Sequence, residues 1–328
     1  MAQMQFLAES RRPAPRRGWL LGLVLLAGLA ECQPRSGPAE GTALPLPTGH
    51  YAGGLQVPGR PELRATLELR HPRPGHYEAE LLLPRQPALS FVADTLTFQH
   101  DTLRLARPGR AGQILTLGRQ GDFWRGTLGL DSVRYPLLLV RRGPPAPAAY
   151  RVRRDGLAGT GGPVLLFSPA DESRPGPALA LLPNPLPTAN GPAWADALAR
   201  QGFMVLLLPP ADTLNALALR HALALLRRTA GVDTARIGAW LTGTRAAGLP
   251  PQAGRLTFVV AQNIPTPPLA ARRAWRALAQ QGRLLAVYDQ DQPKALAAAM
   301  RAVLGAHSVR RGADSVLITQ VSSWLRAH

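Results

Sequence analysis

Few residues in this sequence are equipped for chemistry, and their spacing removes whole classes of it. The seven histidines, His50, His71, His76, His100, His221, His307 and His328, include no H-x-H or H-E-x-x-H pair that would turn two imidazoles toward one metal ion. No metal site and no other cofactor is expected. Residues 156–162 are glycine-rich but lack the Lys-Ser/Thr ending of a phosphate-cradling loop, so they read as a flexible connection. The single cysteine, Cys32, leaves no partner for an internal disulfide.

Charge excludes less than it first suggests. Lys and Arg number 38 against 20 Asp and Glu, a formal charge of +18. The arginines recur in isolated pairs, such as Arg141-Arg142, Arg227-Arg228 and Arg310-Arg311, with no dense run and no aromatic interleaving, and Lys294 is the only lysine. Scattered solvated arginines account for this pattern better than a nucleic-acid surface, and no nucleic-acid partner is expected.

The N-terminus reads as an address. Arg11, Arg12, Arg16 and Arg17 precede an apolar run over residues 19–30, too short to span a bilayer and suited to a signal-peptide core. Residues 1–31 are therefore expected to be a signal peptide, followed by a tether over 32–48. Cys32 in LAGLAEC resembles the acylated cysteine of a lipoprotein, although Glu31 stands where a small residue is usual. Cleavage after Ala30 with simple secretion is the alternative. The expected location is the periplasm or the outer membrane, with a membrane partner if Cys32 is lipidated.

Two textures follow. From residue 49 to 142, short alternating runs separated by Gly, Pro and Asp predict strands over 51–57, 63–70, 77–83, 89–98, 102–106, 113–117, 123–130 and 132–140, an antiparallel sheet curled into a roll or barrel. In residues 63–70, Leu63, Ala65, Leu67 and Leu69 form a dry face, and Arg64, Thr66, Glu68 and Arg70 a wet one. Residues 143–162 read as a linker. Over 163–328, apolar runs at 178–182, 203–208, 236–241, 256–262 and 283–288 alternate with helical spacing at 193–200, 213–230, 269–281, 292–304 and 314–327. Asp212 is the expected N-cap of the second helix and Gly231 its stop. The pattern implies an α/β domain built on a doubly wound, mainly parallel sheet.

The order of these elements is similar to that of exported bacterial α/β-hydrolases with an N-terminal β domain. LALLPNPLPTANG and the helix and strand after it resemble the family's opening. Arg236-Ile-Gly-Ala-Trp-Leu-Thr-Gly-Thr-Arg-Ala-Ala-Gly248 resembles its nucleophile strand and elbow, and Gly282-Arg-Leu-Leu-Ala-Val-Tyr-Asp-Gln-Asp291 the strand that delivers its acid. A minimal fold with no large cap is implied. The G-x-S-x-G serine is missing: one alignment puts Gly243 in its place, the other Thr244. By resemblance the candidate catalytic set is Thr244, Asp291 (with Asp289 as fallback) and His307. Pro183-Asn184 replaces His-Gly, so the candidate oxyanion region is Asn184 and Arg245.

Three functions remain open at this point. The first is a non-catalytic envelope protein that binds a ligand or partner; the second, a diverged esterase or acyl hydrolase using Thr244. The third assigns the activity to the β domain, as a module that binds a small apolar ligand or a partner, with the α/β half as its support; the expected small-molecule partner is an apolar or ester ligand.

Overall fold

The computed structural model describes residues 45–86, 89–183, 191–211, 215–248, 256–267, 269–312 and 314–327. The expected signal peptide, most of the tether, Cys32, Asn184, Asp212 and His328 lie outside them. The chain divides at Ala43/Leu44, and the second unit, Leu44–His328, carries both sheets.

The first sheet is antiparallel throughout. Its strands are β1 (Gly49–Leu55), β2 (Leu63–Arg73), β3 (His76–Leu82), β4 (Phe91–Val92), β5 (Thr95–Gln99), β6 (Thr102–Arg107), β7 (Arg110–Gln120), β8 (Phe123–Leu130) and β9 (Val133–Gly143). Their order is β4-β3-β2-β1-β9-β8-β7-β6-β5. The two edge strands are consecutive in the chain, so Ala93 and Asp94 must bridge them, a span of at most roughly 11 Å for three residue steps. The sheet therefore curls until its edges meet, as a barrel does. The run expected to be one strand over 89–98 is two, because the chain bends here from pairing with β3 to pairing with β6.

Every second residue points inward. Leu67, Leu69, Leu81, Leu103, Leu105, Leu115, Leu117, Leu128 and Leu139 are buried with Tyr51 and Trp124 in one cluster. These side chains form the core of the β domain.

One expectation for β2 fails instructively. Its outer face is buried as well, at Thr66, Glu68 and Arg70. The chain leaving β9 lies across it: Glu68 accepts from the amide of Ala146 at 2.9 Å, and Arg70 donates to the carbonyls of Ala146 and Pro147. Glu68 and Arg70 are thus paired with backbone, and with the side chains of His50 and Glu80 respectively.

The second sheet comprises β10 (Tyr150–Asp155), β11 (Val164–Pro169), β12 (Gly176–Leu182), β13 (Met204–Leu207), β14 (Val232–Thr242), β15 (Val259–Gln262), β16 (Leu284–Asp289) and β17 (Val309–Gly312), in the order β10-β11-β13-β12-β14-β15-β16-β17. Only β11 runs against its neighbours. Helices α2 (Ala216–Arg228), α3 (Leu269–Gln280) and α4 (Lys294–Leu304) cover one face. The other carries α1 (Gly191–Ala199) and α5 (Asp314–Ala327). Strand β12 shows why the run is apolar at every position: Ala178, Ala180 and Leu182 enter one core while Leu179 and Leu181 enter the other. This strand order and doubly wound packing are α/β-hydrolase-like.

Three local corrections follow. The stretch read as a linker over 143–162 contains β10, in which Tyr150 is buried while Arg151 and Arg153 stay exposed; neighbouring Pro and Gly hid that alternation. The stretch before α5, for which no strand was expected, holds the four residues of β17. Helix α2 is capped by Asn215, whose side chain accepts from the amides of Leu217 and Ala218.

Candidate functional site

In open α/β sheets the ligand crevice lies beyond the carboxyl ends of the strands, where the winding direction reverses. Here that point falls between β12 and β14. Strand β14 ends at Thr242, and the chain turns at Gly243, φ +64°, into a 3-10 turn over Gly243–Gly248. A left-handed φ is what a sharp strand-to-helix elbow requires, and glycine takes it without the Cβ clash of other residues. The residue at the apex thus has no side chain. Thr244, one position later, is exposed.

Arg245 faces the opposite way. Only 3% exposed, it donates from Nη1 to the carbonyl of Pro183 at 2.9 Å, just beyond β12. Its guanidinium joins the elbow to the strand end that would flank an oxyanion. Pro183 itself has no N–H to offer one.

Of the two acid candidates, Asp291 is exposed in the turn after β16. Asp289 closes β16 and is held from several sides. Gln262 Nε2 donates to both its oxygens at 3.0 and 3.3 Å, Asn263 Nδ2 donates at 2.5 Å, and its own amide donates to Asn263 Oδ1. Gln262 Oε1 in turn accepts from Trp240 Nε1 at 3.0 Å. Side-chain amides occupy the carboxylate where an imidazole would dock.

His307 is not brought to this edge. It lies in the 3-10 turn Ala306–Ser308 immediately before β17, which runs parallel to β16 with Val309 beside Ala286 and Gly312 beside Asp289. His307 therefore stands at the amino end of the sheet, the side away from Thr242 and Asp289. Beyond β17, a single residue precedes α5, so no loop is available there to return a histidine to the elbow. Among the described residues, no group of three His, Cys, Asp or Glu is arranged to hold a metal ion.

What the sequence reading missed is the polar junction between the sheets. Glu80 on β3 accepts from Arg70 at 2.7 Å and from Arg200 at 2.6 Å. Arg200, just past α1, also bonds Asp196 at 3.1 Å and lies over the ring of Tyr150, 5.0 Å from its centroid. Tyr150 donates to Asp196 and accepts from the amide of Val92 at 3.0 Å. Burial pushes the Tyr150 hydroxyl well above its ordinary pKa, and the Asp196 charge adds to that. Burial likewise raises Asp196, opposed by Arg200. Burial lowers Arg107, against the pull of Asp196. No spacing rule could have found this set, because its members come from β2, β3, β10 and the α1 region.

Comparisons with known proteins give a distant picture. No family model matches the sequence, and no curated protein matches it. Among solved structures, a hypothetical protein from Pseudomonas aeruginosa is 19% identical over 40% of this chain and 47% of its own, with a TM-score of 0.31. A putative dipeptidyl aminopeptidase IV from Bacteroides ovatus is 12% identical, covering 81% of this chain and 48% of its own, at a TM-score of 0.41. An esterase is 11% identical over 55% and 82% of the two chains, at 0.37. The chain spans about half the length of the first two.

Proposed function

We propose that this protein is a non-catalytic, α/β-hydrolase-like binding protein of the cell envelope. The observation that carries the reading is the elbow: its positive φ falls on Gly243, so the position that would expose a nucleophile exposes only backbone. Acyl transfer needs a hydroxyl, a base that takes its proton and a group that orients the base. Thr244 is exposed, His307 lies beyond the opposite end of the sheet, and Asp289 is engaged by amides. The export address and Cys32 support an envelope location.

Two measurements test this. Purified protein is exposed to a fluorophosphonate probe and a short-chain chromogenic ester; neither labelling nor turnover above the buffer rate is expected. Turnover that Thr244→Ala abolishes would establish the diverged-esterase reading instead. For location, the mass of the protein recovered from membranes should carry acyl groups that Cys32→Ser removes. An unmodified mass would leave secretion without an anchor.

A further inference from the structure

A cavity of about 620 Å³ lies where the barrel meets the carboxyl ends of β12 and β13, and none of its lining residues belongs to the elbow. That volume is in the range of small-molecule sites, roughly 300–1,000 Å³. Its apolar surface comes from Leu165, Leu207 and Leu208, together with Pro163, Pro183, Pro192, Pro209 and Pro210. Five prolines give the wall fixed backbone and remove five N–H donors. The strong donors that remain are guanidiniums: Arg107, Arg110 and Arg154 line the site against one carboxylate, Asp94, which Arg154 already pairs.

The β6–β7 hairpin forms one wall of the cavity and touches the α/β domain beside it. Gly109, φ +71°, sits so near the α/β domain that a Cβ there would meet Pro192 at 3.1 Å and Leu165 at 3.3 Å. Beside it, Arg110 has one long ion pair, 3.4 Å to an Asp131 whose side chain is 70% exposed. Such a pair is weak enough for a better-placed anion to displace.

We propose that this junction binds an amphipathic monoanion, an alkyl chain ended by a carboxylate, with the chain against the leucines and prolines and the carboxylate on Arg110. The proposal is independent of whether the elbow is inert: the two sites share only Pro183, which offers its ring to the cavity and its carbonyl to Arg245, and Arg110 takes no part in the elbow.

Calorimetric titration of the full protein with dodecanoate and with 1-dodecanol, both below their aggregation limits, tests it. Dodecanoate should bind saturably and at least about tenfold more tightly than the alcohol, the equivalent of ~1.4 kcal/mol. Arg110→Glu, at a half-exposed position, should weaken dodecanoate by about tenfold or more and leave the alcohol unchanged. Ala106→Phe, which projects a ring into the cavity from outside the barrel core, should weaken both. Equal binding of acid and alcohol, indifference of dodecanoate to Arg110→Glu, or no saturable heat with either ligand would overturn the proposal. Ester turnover in the wild type would refute only the non-catalytic reading.

Discussion

Returning a serine to the elbow should not return the chemistry. Gly243→Ser places a hydroxyl at the apex, but at φ +64° an L-residue meets the clash that glycine escapes, worth about 1–2 kcal/mol. Urea unfolding followed by tryptophan fluorescence should show that loss, a roughly 5- to 30-fold drop in the folding constant. The new hydroxyl would have no imidazole beside it: His307 precedes β17 at the far end of the sheet, and β17 leads into α5 after one residue. In serine hydrolases, loss of the base alone lowers kcat by about a millionfold. The variant should therefore hydrolyse a p-nitrophenyl ester at the wild-type background rate, with no burst. A stoichiometric burst, or a fluorophosphonate adduct at position 243, would show that a base does reach the elbow, and the reasoning would fail.

Glu80→Ala should be strongly destabilising, because it leaves Arg70 and Arg200 facing each other without their shared carboxylate. The loss expected for breaking a buried pair is about 3–5 kcal/mol, toward the lower end because Arg200 retains contact with water; a thermal melt showing under ~1 kcal/mol would mean that the junction is not a clamp. Asn215→Ala should cost about 1 kcal/mol in urea, through loss of the α2 cap. Above pH 10, stability should fall with rising pH: Tyr150 and Tyr288 keep protons that the unfolded chain releases, giving about 1.4 kcal/mol per pH unit for each. Tyrosinate absorbance checks this, since both residues should ionise only on unfolding.

The sequence disclosed elements better than it disclosed neighbours. The five helices among the described residues were legible from the helical spacing of one buried apolar face, and most parallel strands because burial on both faces demands uninterrupted apolar runs, as in β12 and β16. Strand β10 was not, since four of its six residues are arginines or aspartate on an edge, between Pro-rich and Gly-rich segments. The buried outer face of β2 was also misread. Alternation reports which side chains share a face, but not that residues 146 and 147 will cover the polar one. For the site, the missing serine was visible as a motif loss. Which of Gly243 and Thr244 occupies the apex was decided only by the backbone angle.

The same distinction bears on the described residues of the carboxyl edge, which are tied together without bringing Thr244, Asp289 and His307 into one group. In an active hydrolase, the elbow's strain is borne by a residue with a side chain, and the acid is left open to a mobile imidazole. Here glycine carries the left-handed angle, Arg245 ties the elbow to Pro183, and Asp289 is filled by Gln262 and Asn263. Each of these features lowers strain or satisfies a polar group. The barrel is fixed to this scaffold through Glu80, Arg200, Asp196 and Tyr150, which sets the β6–β7 hairpin against β13. Rigidity of that kind suits a preformed ligand cavity at the junction, where binding gains from walls that need no reordering.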